Sequence, residues 1–181
     1  EQTAGSWKKS NDQRQVARLA NNMGGFLPPQ APELEKAVLG AILLEKEKLE
    51  EVLEIIHSPE CFYVPAHILI YETIKNLASK GAAIDLLTVT EELRKAGELE
   101  NIGGPYFLTQ LTMSVVTSAH VISHCMIVME KYMQREVIRL CGNAMANAYK
   151  STEDIFDLME ELEKGVYELT QRNAGNELLS M

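Results

Sequence analysis

Apolar residues recur along this chain with a helical period. Leu34, Ala37, Val38, Ala41 and Ile42 fall at i, i+3, i+4, i+7 and i+8, which is one face of a helix. Pro32 fits its first position, and Glu33 and Glu35 sit near its positive end. Gly40 inside this helix predicts a close approach by another helix, because glycine there otherwise costs about 1 kcal/mol. Leu49, Val52, Leu53 and Ile56 share a face of a second helix, which His57-Ser58-Pro59 ends. The aromatic stretch "PECFY" is placed to plug the core. A third helix is predicted from Pro65 to Lys80, with Ile68, Tyr71, Ile74, Leu77 and Ala78 on its stripe and Gly81 just past its end.

The stretch "IDLLTVTEELRKAGELENIGGPYFL", Ile84 to Leu108, is dense in punctuation. Thr88 with Glu91 reads as a capping box, and Val89, Leu93 and Ala96 can face inward. Gly97 stops this helix, and Gly104 with Pro105 at the first helical position starts another carrying Tyr106, Leu108 and Leu111. Asp85 reads as a helix cap or turn residue rather than a catalytic acid. The result is two short helices meeting at a sharp corner.

The last third changes character. Ile122, Met126, Met129, Met133, Val137, Leu140, Ala144 and Ala148 step by three or four along a predicted helix of roughly 30 residues, about 45 Å long. A second line, Val121, Cys125, Val128, Tyr132, Ile138, Cys141 and Met145, lies beside it. Ser151 with Asp154 is placed to cap the next helix, whose stripe is Ile155, Leu158, Leu162, Val166 and Leu169. A short connection folds the two back as an antiparallel hairpin. The pattern therefore predicts an all-α protein, a compact multi-helix head followed by a long antiparallel helical hairpin. The predicted boundaries are a flexible tail over 1–30, the head over 31–116, the hairpin over 117–173, and a linker or tail over 174–181. Two apolar lines exceed what one packing partner needs, so a second chain is expected to cover the surplus. Ile122, Met126, Met129, Met133, Val137 and Leu140 are the expected self-association residues. Leu158, Leu162 and Val166 are expected to hold the two arms together.

Composition narrows the function. The formal net charge of −9 argues against a surface built to neutralise DNA phosphates, although the segment over 1–30 is mildly basic through Lys8, Lys9, Arg14 and Arg18. Cys61, Cys125 and Cys141 are odd in number and apolar in context, which predicts a reducing cytoplasm without a disulfide framework. No apolar run is long enough to span a membrane, and no signal peptide is visible. No G-x-x-x-x-G-K-[ST] or G-x-S-x-G motif occurs. His120 and His124 have the i, i+4 spacing of a metal pair, but Val-Ile-Ser between them lacks a general-base glutamate. Surface or interface roles are expected for both. His57, Cys61 and His67 are too loosely spaced to suggest more than core or surface roles. No catalytic, cofactor or metal residues are expected.

An ordered set of segments carries a family resemblance: "PPQAPELEKAVLGAILL", "FY" ahead of "HILIYETI", "IDLLTVTEEL", "GGPYFLTQLT" and "SAHVISHCMIVMEKYMQREVI". Together they resemble the N-terminal domain of bacterial replicative DNA helicases of the DnaB type, from about Leu27 to Arg172. The resemblance implies a helical head with a hairpin that pairs between subunits. It also implies assembly as a trimer of dimers and docking of primase. It further implies a motor domain, using ATP and Mg, that is not in this chain, so no unwinding is expected of the chain alone. Arg135, Glu136 and Arg139, on the charged side of the hairpin, are the primase-binding candidates. A helicase loader is a further possible partner, and direct DNA binding is expected to be weak or absent. The alternative is a stand-alone helical adaptor that binds a helicase or its loader.

Overall fold

The computed structural model describes residues 26–115, 118–149 and 154–177. Most of the predicted N-terminal tail, the last four residues, and the Ser151 half of a predicted cap lie outside them. Among the described residues there are seven α-helices, one 3-10 turn and no strand. The helices are α1 (Pro32–Leu44), α2 (Lys48–Ile55), α3 (Pro65–Ser79), α4 (Leu86–Lys95), α5 (Gly104–Met113), α6 (Val121–Ala148) and α7 (Ile155–Glu177), with the 3-10 turn at Pro59–Cys61.

The chain divides into two compact units. One is residues 30–132; the other joins the described residues from 133 onward to residues 26–29. The boundary falls inside α6, later than the 116/117 boundary expected from the pattern. The reason is that Val121, Cys125, Val128, Met129 and Tyr132 are all buried in the first unit.

In that unit α1 is the central element, touching α2, α3 and α5. Its buried set is Glu35, Val38, Leu39, Gly40, Ala41, Ile42 and Leu43, so the helix is enclosed nearly all round rather than on one stripe. A Cβ at Gly40 would overlap the backbone carbonyl of Leu111 on α5, which is the close approach the glycine predicted. The aromatic segment fills the core as expected. Phe62 is buried with its ring centroid 4.9 Å from that of Tyr71, whose hydroxyl donates to the Ile56 carbonyl at 2.6 Å. Burial raises the Tyr71 hydroxyl above its ordinary range and pushes the Cys125 thiol up to about 12.

The stops and starts of α4 and α5 fall close to their predicted places. Gly97 takes φ +74°, and the N–H of Glu98 donates to the Leu93 carbonyl at 2.9 Å, closing α4 in a Schellman motif. The predicted start of α4 needs correction. Asp85, not Thr88, is its N-cap: one Asp85 oxygen accepts the N–H of Leu87 at 2.9 Å and of Thr88 at 2.8 Å. Thr88 lies inside the first turn and Glu91 pairs with Arg94. Ala96 ends the helix exposed rather than facing inward. In α5 the first residue is Gly104 and proline takes the second place.

The hydrogen bonds from Thr88 and Leu87 hold the Asp85 carboxyl below its ordinary value of 3.8. A lowered pKa means that folding favours the charged form. The stabilisation is therefore complete above 3.8 and disappears as pH falls through the lower folded value. Asp85→Ala is expected to cost about 1 kcal/mol near neutral pH. Urea unfolding should show that cost shrinking progressively below pH 3.8.

Candidate association surface

The second unit is a fold-back of two helices. Gly165 on α7 lies against the Leu140 side chain on α6, ten residues into α7 and eight before the end of α6, as in an antiparallel pair. Leu158 and Leu162 are half-buried and Leu169 is buried, so the inward line of α7 runs 158, 162, 165, 169. Val166, expected to hold the arms together, is 52% exposed and leaves that role to Gly165. Asp154 caps α7, accepting the Phe156 N–H at 2.8 Å.

The predicted association stripe divides along α6. Met129 is buried in the first unit, where it is unavailable to a second chain. Ile122 is half exposed, Met126 intermediate, and Met133 and Leu140 intermediate in the second unit. Val137, Cys141 and Met145 are exposed at successive four-residue steps. No charged residue occurs between Cys141 and Tyr149. On α7, Ile155, Met159 and Val166 form an exposed apolar line beside the inward one. These six residues, rather than the methionines nearer the first unit, make the uncovered apolar face.

The charged candidates separate in the same way. Arg135 is buried, and its Nη1 donates to the Pro29 carbonyl at 2.9 Å, so it clasps the incoming chain instead of reaching outward. Glu136 and Arg139 pair with each other through two hydrogen bonds of 2.8 and 3.2 Å. Being part-exposed, such a pair adds little stability and can exchange partners.

Sequence reasoning missed one polar cluster. Glu35 is buried, and its carboxyl group accepts the N–H of Tyr63 at 2.8 Å and of Val64 at 3.3 Å. It also shares a 2.7 Å hydrogen bond with Nδ1 of buried His67. Val64 is the N-cap of α3, which no local side chain caps. Glu35 thus caps α3 from another helix. Nε2 of His67 is buried without a hydrogen-bond partner, and its ring stacks on Phe107 at 5.9 Å. The legible signal was a glutamate in a helix apolar on every side. A groove of about 390 Å³ between α1 and α5 offers no reactive pair, since Glu33 and Lys36 bond each other at 2.8 Å. His120 is exposed, His124 is intermediate, and no cluster of metal-ligating residues occurs among those described. No helix among them is long and apolar enough to cross a membrane.

The fold and this surface define a class: an all-helical domain whose polar groups fix its packing and whose helical pair leaves an apolar face uncovered. The comparisons with known proteins then give the family. The profile of the DnaB-like helicase N terminal domain matches residues 27–130. The replicative DNA helicase DnaB of Rhodothermus marinus is 41% identical over 150 residues, covering 83% of this chain and 16% of that protein. The replicative DNA helicase DnaC of Bacillus subtilis is 38% identical over 146 residues, covering 81% of this chain and 32% of that protein. The crystal structure of the N-terminal domain of DnaB helicase from Mycobacterium tuberculosis superposes with a TM-score of 0.71 at 32% identity, covering 78% of this chain and 99% of that one. A DnaB-like replicative helicase whose structure was described with its interactions with primase aligns at TM-score 0.64 and 28% identity, over 77% of this chain and 31% of that one. The chain belongs to the DnaB-like helicase N-terminal domain family. It spans a sixth to a third of the length of these curated relatives.

Replacing Glu35 by Ala removes the acceptor of the buried His67 ring and of the half-buried N–H groups of Tyr63 and Val64, and the buried ring alone costs about 1–3 kcal/mol when left unsatisfied. Thermal unfolding of Glu35→Ala should fall by many degrees, with Glu35→Gln intermediate because its amide oxygen still accepts.

Proposed function

We propose that this domain assembles with copies of itself through its helical pair and presents the assembly to a primase, in the cytoplasm, as part of a replicative helicase. The observation that carries the reading is the neutral apolar face of Val137, Cys141 and Met145 with Ile155, Met159 and Val166. An uncovered face of this kind on an otherwise strongly acidic chain suits a like copy, because its α6 ridge brings no like charges together. Dimers and trimers of dimers follow the family resemblance. The 181 residues contain no phosphate-binding loop, so ATP and Mg chemistry is assigned to none of them.

Burying a Val or Met side chain is worth roughly 1.5–3 kcal/mol. Val137→Asp with Met145→Asp should therefore dissociate the oligomer while leaving the helical circular dichroism unchanged. Light scattering is expected to show an oligomer for the unsubstituted chain and a monomer for the pair. A monomer for the unsubstituted chain at micromolar concentration contradicts the reading.

Primase docking rests on the relative described with primase and on the exposed edge of the Glu136–Arg139 pair. Arg139→Glu is expected to weaken primase binding more than tenfold, about 1.4 kcal/mol, without changing the oligomer mass. Equal affinities in a titration of labelled primase would move the docking site off this pair.

A further inference from the structure

The solvent face of α7 carries a second pattern, apart from the apolar line beside its inward residues. Phe156, Glu160, Glu163 and Tyr167 follow each other at steps of four, three and four, so they stack along one side of the helix over about 16 Å. Phe156 is 76% and Tyr167 64% exposed, and both glutamates are exposed. Between Asp157 and Glu168 the helix exposes five acidic residues against the one lysine, Lys164. Two exposed aromatic rings bracketing carboxylates suit cationic side chains, which gain both ion pairing and contact with a ring face.

The chain contains a segment of that chemistry. Trp7–Arg18 holds Lys8, Lys9, Arg14 and Arg18 against the single acid Asp12. The path to it begins on the same unit, because the Pro29 carbonyl is held by Arg135 of α6 at 2.9 Å. Ten residues lie between Arg18 and Pro29, and the eleven extended steps from one to the other reach about 36 Å. That exceeds the length of the aromatic and acidic stripe. A tether this short raises the local concentration to about the millimolar range, so individually weak ion pairs suffice.

We propose that the basic segment Trp7–Arg18 docks on the Phe156–Tyr167 face of α7. The occupant is this chain's own segment rather than a second copy, whose α7 would bring a like-charged face. Docking covers two exposed aromatic rings and is weakened by salt.

Trp7 is the one tryptophan in the chain and reports directly on its surroundings. In the 181-residue chain, acrylamide quenching of Trp7 is expected to be severalfold weaker than in a free peptide of residues 1–25. Its emission should be blue-shifted relative to that peptide. Glu160→Lys with Glu163→Lys, both on exposed positions, should restore peptide-like quenching while the helical circular dichroism stays unchanged. Peptide-like quenching in the unsubstituted chain overturns the proposal. So does protection that survives the double substitution, which would place Trp7 elsewhere. Protection that disappears on dilution also overturns it, because the occupant would then be another copy.

Discussion

A buried glutamate has to be met on every side, and in this domain that requirement aligns the head. Glu35 sits in the first turns of α1, the helix that touches most of its neighbours. Its carboxyl group bonds the two N–H groups that lead into α3 and the imidazole in the first turn of α3. Those contacts fix the angle at which α3 leaves the aromatic segment, and hence where Phe62 and Tyr71 meet. With α3 placed, α1 is left to approach α5 along Gly40, where no side chain could fit. Apolar burial supplies most of the driving force in this core, but it is non-directional. The polar cluster supplies directional contacts between α1 and the start of α3.

Local chemistry was legible in the sequence wherever the cause and effect lie within one turn. Pro32 starts α1, Gly97 ends α4, and Gly40 announces a close helix, each from its own backbone requirement. The family resemblance likewise came from ordered local segments. What escaped was set by partners distant in sequence. Glu35 and His67 are 32 residues apart, and Arg135 and Pro29 are 106 apart. Neither distance leaves a periodic trace. Asp85 and Thr88 are both good caps three residues apart, and only the backbone decides that Asp85 takes the role. On α7 the neighbouring positions Gly165 and Val166 fit an apolar stripe about equally well. The small residue faces Leu140 because it lets the helices come closer.

The hairpin residues show how one long helix serves two environments. Through Tyr132, α6 spends its apolar residues on the core of the first unit. Beyond it, the same helical period continues with Val137, Cys141 and Met145 left exposed. Arg135 marks the change, a charged side chain turned inward to hold a backbone carbonyl. The exposed apolar residues are therefore displaced toward the end of the helix, away from the methionines that a continuous stripe first suggests. On the proposed reading, pairing with a copy and docking of primase use different chemistry on one element: a neutral ridge for the first, an exchangeable ion pair for the second.

The central claim is that this neutral ridge is covered by another copy of the chain. Hydrogen–deuterium exchange at two protein concentrations tests it most directly, because it locates protection by segment. Raising the concentration is expected to slow exchange in the 137–149 and 155–166 segments while the amides of α1 to α5 stay unchanged. Exchange that does not respond to concentration in those segments, or that responds in the head instead, would contradict the account.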